Sequence, residues 1–281
     1  MKTTSWLVMV AVAAGGLMAA QAEAQEDRWP LGVQAYTFRD GTLFEAIEKT
    51  AELGLEYIEA YPSQPLSEDN PVPFSHEISE EDRMALKAKL YDEGVRLIAY
   101  GVVGLGEHAI ELGSDEETVR PVFEFAQDMG VDVITAYPEP DSFELLGELC
   151  EEYGIDIAIH NSGPGSRYET VSDLADAVEG RHPRIGACVD LGLVLQVGEI
   201  PHEAIEILGE RVKSLHLKDA ELNGEETVVG EGDMDLQRTI AALEAVGFEG
   251  PVTLEYEPHP EDPMPHAAAG LANWRAAFDT E

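Results

Sequence analysis

Past its first two dozen residues the chain alternates short β-rich apolar runs with longer windows in which apolar positions recur at helical spacing. The short runs predict strands over Gly32–Phe38, Tyr57–Tyr61, Arg96–Val102, Val133–Ala136, Asp156–His160, Ile185–Asp190, Val212–Leu217 and Val252–Glu255. The windows between them predict helices over Leu43–Leu53, Glu80–Glu93, Glu116–Met129, Phe143–Tyr153, Ser172–Val178, His202–Leu208 and Leu236–Val246, with a last one around His266–Phe278. Gly54, Gly94, Gly130, Gly154 and Gly247 stand just past five of these helices, where a left-handed cap is expected. Alternating βα units force parallel strands, and eight of them suggest closure into an α/β, (β/α)8 TIM barrel forming one domain over residues 25–281. The competing open sheet usually carries a glycine-rich phosphate turn after its first strand, whereas this first strand ends Tyr36-Thr37-Phe38-Arg39-Asp40.

Residues 1–24 read differently. Lys2 precedes an apolar stretch from Trp6 to Leu17, followed by the small-residue sites Ala20-Gln21-Ala22 and Ala22-Glu23-Ala24, the form of a cleavable signal peptide. The run is shorter than a membrane span needs. A periplasmic or secreted product, free of the membrane after cleavage, is expected. The two cysteines, Cys150 and Cys188, fall in predicted core elements and read as buried free thiols.

Charge narrows the partners. Seventeen Lys and Arg against 56 Asp and Glu give a formal net charge of −39, so polyanions would be repelled and no nucleic-acid partner is expected. The acid excess reads as a heavily hydrated surface suited to a salty exterior.

In a barrel of this kind the chemistry gathers at the C-terminal strand ends. Four predicted strands finish with potential ligands: His160, Asp190, His216 and Glu255. Two imidazoles and two carboxylates suit one divalent ion such as Mn, Zn, Co or Fe better than Ca, which prefers an all-oxygen shell. Tyr36, Phe38, Tyr61, Tyr100 and Tyr137 lie at or near strand ends, as a sugar-stacking platform or as barrel-top packing. The stretch Gly101–Gly106 lacks a lysine, matches no phosphate loop, and reads as a flexible loop over the mouth.

The segments Gly32-Val33-Gln34-Ala35-Tyr36-Thr37-Phe38-Arg39, Ile159-His160-Asn161-Ser162-Gly163-Pro164-Gly165, Cys188-Val189-Asp190-Leu191-Gly192, Leu215-His216-Leu217-Lys218-Asp219 and Leu254-Glu255-Tyr256-Glu257 resemble the xylose isomerase-like TIM barrel superfamily. More narrowly, they are similar to its often exported bacterial sugar phosphate isomerase/epimerase group. The resemblance implies one divalent metal gripping a hydroxyl and a neighbouring carbonyl of a sugar. The family's ligand order is Glu, Asp, His, Glu; the last three match Asp190, His216 and Glu255, and His160 stands where the first Glu is usual. One subgroup reads His-Asn-His-Gly-Pro and Asp-x-Gly-His at these places, where this chain has Ser162 and Leu193 instead of the second His of each motif.

The chemistry so implied is proton abstraction next to a carbonyl through a metal-stabilised enediolate. Glu255 is the first candidate base, followed by Lys218, Glu59 and Glu139. Lys218 either faces the site or pairs with Asp219 at the surface, and Glu59 either touches substrate or is a solvated acid. Gln34, Arg39, Asn161 and Glu139 are the expected substrate contacts. A neutral sugar or keto-sugar is expected rather than a phosphorylated one. Three classes stay open: a sugar isomerase or epimerase, a 3-keto-glycoside lyase or hydratase using the same enolate chemistry, and a non-catalytic periplasmic sugar binder. The oligomeric state is open too.

Overall fold

The computed structural model describes residues 27–105 and 112–278; the expected signal peptide and the tip of the expected mouth loop lie outside the described residues. In chain order the strands are β1 (Leu31–Gln34), β2 (Tyr57–Ala60), β3 (Arg96–Val103), β4 (Val133–Ala136), β5 (Asp156–His160), β6 (Ile185–Asp190), β7 (Val212–Leu217), β8 (Asp219–Ala220), β9 (Glu226–Thr227) and β10 (Val252–Leu254). The helices are α1 (Leu43–Glu52), α2 (Glu80–Glu93), α3 (Glu116–Met129), α4 (Phe143–Tyr153), α5 (Val171–Val178), α6 (Leu191–Gln196), α7 (Pro201–Leu208), α8 (Leu236–Ala245) and α9 (Met264–Ala276). Strands β1 to β7 and β10 close a parallel barrel, with β10 bonded to both β7 and β1. The (β/α)8 fold read from the alternation is the fold observed. Among the described residues no helix is long and apolar enough to cross a membrane.

Local chemistry starts the helices where they start. Thr42 and Glu45 form a reciprocal capping box at α1, and Thr170 with Asp173 does the same at α5, each satisfying N–H groups that the first helical turn leaves open. The five exit glycines adopt φ of 68° to 71°, as the left-handed cap requires. Helix α1 buries Leu43, Ala46, Ile47 and Thr50, one face at helical spacing. Each fully buried Leu or Ile in such a face contributes about 1.5–3 kcal/mol. Cys150 and Cys188 are both buried and free, and burial raises the Cys150 thiol to about 12.

Three departures from the expected elements shape the mouth. The first strand stops at Gln34, because its side-chain oxygen accepts the Tyr36 N–H (3.1 Å) and turns Ala35–Phe38 into a 3-10 turn. Helix α6 follows β6 without a loop: Asp190 ends the strand and caps the helix, accepting the Leu193 N–H at 2.9 Å. Its six residues, Leu-Gly-Leu-Val-Leu-Gln, are too few to show a helical period. Strands β8 and β9 form an antiparallel hairpin between β7 and β10, too short to register as alternation. This hairpin is pinned by Asp219, whose buried carboxylate accepts the N–H groups of Ala220, Gly230, Gly232 and Met234.

Candidate metal centre and cavity

Parallel register brings the strand ends level. His160 pairs with Cys188, and Asp190 with His216, so three of the four expected ligands ring the top of the barrel on adjacent strands; Glu255 follows the end of β10. The ligand atoms of His160, Asp190, His216 and Glu255 all lie within 4.8 Å of one another, and all four residues are buried. His160 Nε2 is 3.0 Å from His216 Nδ1 and 3.8 Å from Asp190 Oδ2, and His216 Nδ1 is 3.2 Å from Glu255 Oε2. A tetrahedron of donors about 2.1 Å from a central ion has edges of about 3.4 Å. The observed separations bracket that value. Asp190 adds a second sign: its Oδ1 caps α6, while Oδ2 is buried with no hydrogen bond. The N2O2 donor set fits a divalent transition ion.

Protonation follows from the surroundings. Burial and the neighbouring His216 push the His160 imidazole down to about 4, leaving it neutral with a free lone pair at neutral pH. Burial opposes charge on His216, but Cys188 and Glu59 outweigh it and hold its pKa well above the ordinary histidine value. Burial likewise opposes ionisation of Glu255, yet Lys218 and His216 hold its carboxyl well below the usual range. A metal would take the place of the His216 proton.

Glu59 corrects the sequence reading. It neither reaches the cavity nor meets solvent. Fully buried, it accepts a hydrogen bond from His216 Nε2 at 3.0 Å and one from Thr253 Oγ1 at 2.8 Å. That bond fixes the Nε2 proton and turns Nδ1 toward the other donors, where a metal would displace the second proton, the usual arrangement beneath a metal-bound histidine. Strand alternation explains the depth: residues two apart share a face, so Glu59 lies one layer beneath Tyr61, which does line the cavity.

The same step of two raises Lys218 above His216 and Glu257 above Glu255. Lys218 is 2% exposed and faces the site rather than pairing with Asp219. Its ammonium lies 2.5 Å from Glu257 Oε1, 3.1 Å from Glu255 Oε2, 3.4 Å from Asp190 Oδ2 and 3.7 Å from Glu226 Oε2. Burial opposes its charge, but Asp190 and Glu255 hold its pKa well above the ordinary value. Burial pushes Glu226 up to about 8, although Lys218 opposes the shift. Gly192 makes room for the lysine stem: a Cβ there would sit 2.4 Å from Lys218 Cγ.

The cavity over these groups encloses about 350 Å³ and is lined by Gln34, Tyr36, Tyr61, Pro62, Val102, Leu105, His160, Ser162, Gly163, Asp190, Leu193, Lys218, Glu255 and Glu257. Tyr36 and Tyr61 meet edge to face at 5.0 Å. Phe38 and Tyr100 are buried packing residues, and Tyr137 packs on Tyr168, so only part of the aromatic set can form a platform. Of the expected substrate contacts, Gln34 lines the cavity. Asn161 does not; its amide locks the Asp190 backbone, donating to the carbonyl (3.1 Å) and accepting the N–H (2.7 Å). Arg39 lies off the cavity, stacked on Tyr36 and donating to the Glu257 carbonyl at 2.6 Å. Glu139 is also off it, paired with Arg167 at 2.7 Å. Glu226 and Glu257 escaped the sequence reading; the i+2 spacing of Glu257 from Glu255 was the available signal, whereas Glu226 arrives only through the unforeseen hairpin. A cleft of about 470 Å³ at the opposite barrel end brings together no comparable donors, and its Arg184 is paired with Asp156.

Comparison with known proteins agrees with this geometry. Two curated inosose dehydratases are similar in sequence. The one from Geobacillus thermodenitrificans (strain NG80-2) is 26% identical over 139 residues, 43% of this chain and 46% of that protein, so this match spans about half the relative. The one from Geobacillus kaustophilus (strain HTA426) is 23% identical over 239 residues, 68% of this chain and 77% of that protein. Among solved structures, an uncharacterised protein from Parabacteroides distasonis ATCC 8503 superposes with a TM-score of 0.69 at 28% identity, over 88% of this chain and 98% of that one. The IolI protein, solved with a zinc atom, shares the fold at a TM-score of 0.64 and 19% identity, over 89% and 96% of the two chains. The family model for the xylose isomerase-like TIM barrel matches residues 47–277, and the chain belongs to that family.

Proposed function

We propose that this protein is a divalent-metal-dependent enzyme that removes a proton next to the carbonyl of a neutral polyhydroxy ketone and expels the neighbouring hydroxyl as water. The observation that carries this reading is the buried cluster of His160, Asp190, His216 and Glu255 at the base of a partly apolar cavity at the barrel mouth. These four residues would hold the ion, with Mn, Zn, Co and Fe as the candidates. When bound, such an ion supplies Lewis-acid polarisation of a ketone oxygen.

The side chains do the rest. Glu255 takes the proton from carbon; so weak a base needs a strongly acidified C–H, which a polarised ketone provides. Lys218, held cationic 3.1 Å from Glu255, favours negative charge developing on the substrate oxygens. As the C–O bond breaks, the proton on Glu255 passes to the departing hydroxyl, so that water leaves and the carboxylate is restored. Tyr36, Tyr61, Leu193 and Val102 shield the reaction from solvent.

Elimination is favoured over epimerisation by the one-sidedness of the cavity. Among the described residues, every carboxylate, imidazole and ammonium lining it comes from the segments around β5, β6, β7 and β10, whereas the β1 to β3 side contributes Gln34, Tyr36, Tyr61, Pro62, Val102 and Leu105. Epimerisation needs a proton delivered to the opposite face, and the Tyr61 phenol there is a poor acid, its pKa raised by burial. The dehydratase names of the curated relatives agree with this choice. A neutral substrate follows from Lys218, the one basic side chain lining the cavity among the described residues, being already engaged by carboxylates. Export, as the N-terminal segment suggests, would place the activity outside the cytoplasm.

The test begins with elemental analysis of the untagged protein beside an Asp190→Ala/His216→Ala variant. Metal-loaded protein is then incubated in D2O with an inosose and with ketohexoses and followed by proton NMR. Deuterium wash-in with loss of water supports the proposal. Wash-in with an epimer as sole product assigns an isomerase instead. A metal-free wild type with neither event leaves a sugar-binding barrel.

A further inference from the structure

Two of the four donor atoms, Asp190 Oδ2 and Glu255 Oε2, already face a cation of the protein's own, the Lys218 ammonium at 3.4 and 3.1 Å. A divalent ion drawn to those oxygens would meet a like charge seeking the same partners. The nearest group to that ammonium is nevertheless neither of them but Glu257, at 2.5 Å. Coulomb attraction grows with proximity, and like charges brought together in a buried site repel strongly.

The Glu257 backbone is unusually well fixed. Its N–H is donated to Glu226 Oε1 at 2.7 Å, from the hairpin strand β9, and its carbonyl accepts from Arg39 Nη2 at 2.6 Å, from beyond β1. Two polar side chains from distant parts of the chain thus hold one residue at the cavity wall. The lysine stem is fixed as well, since it runs against Gly192 where no Cβ could fit. The ammonium at its end is the part free to choose between partners.

We propose that Glu257 is a positioning residue for the metal centre: its carboxylate holds the Lys218 ammonium on the cavity side and keeps it from competing with a divalent cation for the Asp190 and Glu255 oxygens. The proposal rests on the reading of the four-donor cluster as a metal site. It assigns Glu257, together with its braces Glu226 and Arg39, a purpose in metal loading that is separate from any contact with substrate.

The experiment is a zinc titration of the full chain against a chromophoric chelator at fixed pH and ionic strength, for wild type, Glu257→Gln, Lys218→Met and the double variant. Glu257→Gln is expected to weaken zinc binding about 5- to 20-fold, and Lys218→Met to tighten it by a similar factor. In the Lys218→Met background the Glu257→Gln substitution is expected to change affinity less than about twofold, because the two act through one another. Unchanged affinity in Glu257→Gln overturns the proposal, as does an equal loss in both backgrounds, which would make Glu257 act on the ion directly. Should Lys218→Met fail to fold, a crystal structure of zinc-loaded wild type decides. An ammonium within about 3.2 Å of Glu257 and withdrawn from Asp190 and Glu255 supports the proposal, and one still bonded to those two oxygens overturns it. A wild type that binds no zinc fails the functional reading itself, a result distinct from wild type and Glu257→Gln binding zinc equally well.

Discussion

Glu59 can be tested without knowing the substrate. Replacing it with Gln keeps the size but removes the charge, so the two donors that share Glu59 Oε2, His216 Nε2 at 3.0 Å and Thr253 Oγ1 at 2.8 Å, meet a neutral amide oxygen instead of a carboxylate. His216 is then held by a weaker, uncharged acceptor, which loosens its ring and tautomer and with them the aim of Nδ1 toward Glu255. Losses of such outer partners cost about 10- to 100-fold in metal affinity, or about 1.4–2.7 kcal/mol. A second effect runs the other way: Glu59 helps to raise the His216 pKa, so the variant has a less tightly held proton to displace. The two separate by pH, since proton competition fades as pH rises while misorientation does not. The assay is therefore a zinc competition titration at two pH values, with cobalt absorption spectra reporting the coordination geometry. Wild-type affinity and an unchanged cobalt spectrum in Glu59→Gln at both pH values would refute the argument.

Other expectations concern the framework. Gly192→Ala places a Cβ 2.4 Å from Lys218 Cγ, and overpacking of this kind should cost about 1–3 kcal/mol in urea unfolding; a wild-type midpoint would show that the lysine stem moves freely. Asp219→Ala removes the acceptor of four backbone N–H groups, so amide exchange over residues 230–234 should rise sharply while α1 to α4 keep their protection. His160 has a folded pKa of about 4 against about 6.5 when unfolded, so the unfolded chain binds the extra proton between those values. Its contribution is present above about pH 6.5 and is lost as pH falls toward about 4, with a ceiling on the order of 3 kcal/mol. Metal-free His160→Gln should therefore show a shallower acid loss than wild type across that window, and parallel curves would count against a neutral His160.

The structure also separates two kinds of residue that one motif mixes. In Ile159-His160-Asn161 the histidine points to the donor cluster, and the asparagine is spent on the backbone of the next strand's Asp190. In Leu215-His216-Leu217-Lys218 the two polar residues share a face at successive heights, one in the donor cluster beneath the cavity and one in its wall. Adjacent residues of a strand point to opposite faces, so a motif read as a block overstates its shared purpose.

Alternation of apolar runs and helical windows was enough to specify eight βα units, and the barrel was preferred to an open doubly wound sheet because the first strand lacks a glycine-rich phosphate turn. The positions of His160, Asp190, His216 and Glu255 at strand ends were legible for the same reason: a strand end is a local property of the pattern. Depth and partnership were not legible. Whether Glu59 meets substrate or underlies His216 depends on barrel closure, which brings the β2 side chain across the interior to a residue 157 positions later in the chain. Arg39 and Glu139 have the same side chains as binding residues elsewhere, and only their neighbours, the Glu257 carbonyl and Arg167, removed them from the cavity. The β8–β9 hairpin, two residues to a strand, has no period to read; its shape comes from one buried aspartate gathering four N–H groups. Local pattern therefore determined the elements and the level of the site, while the charges that meet there were decided by contacts between residues far apart in sequence.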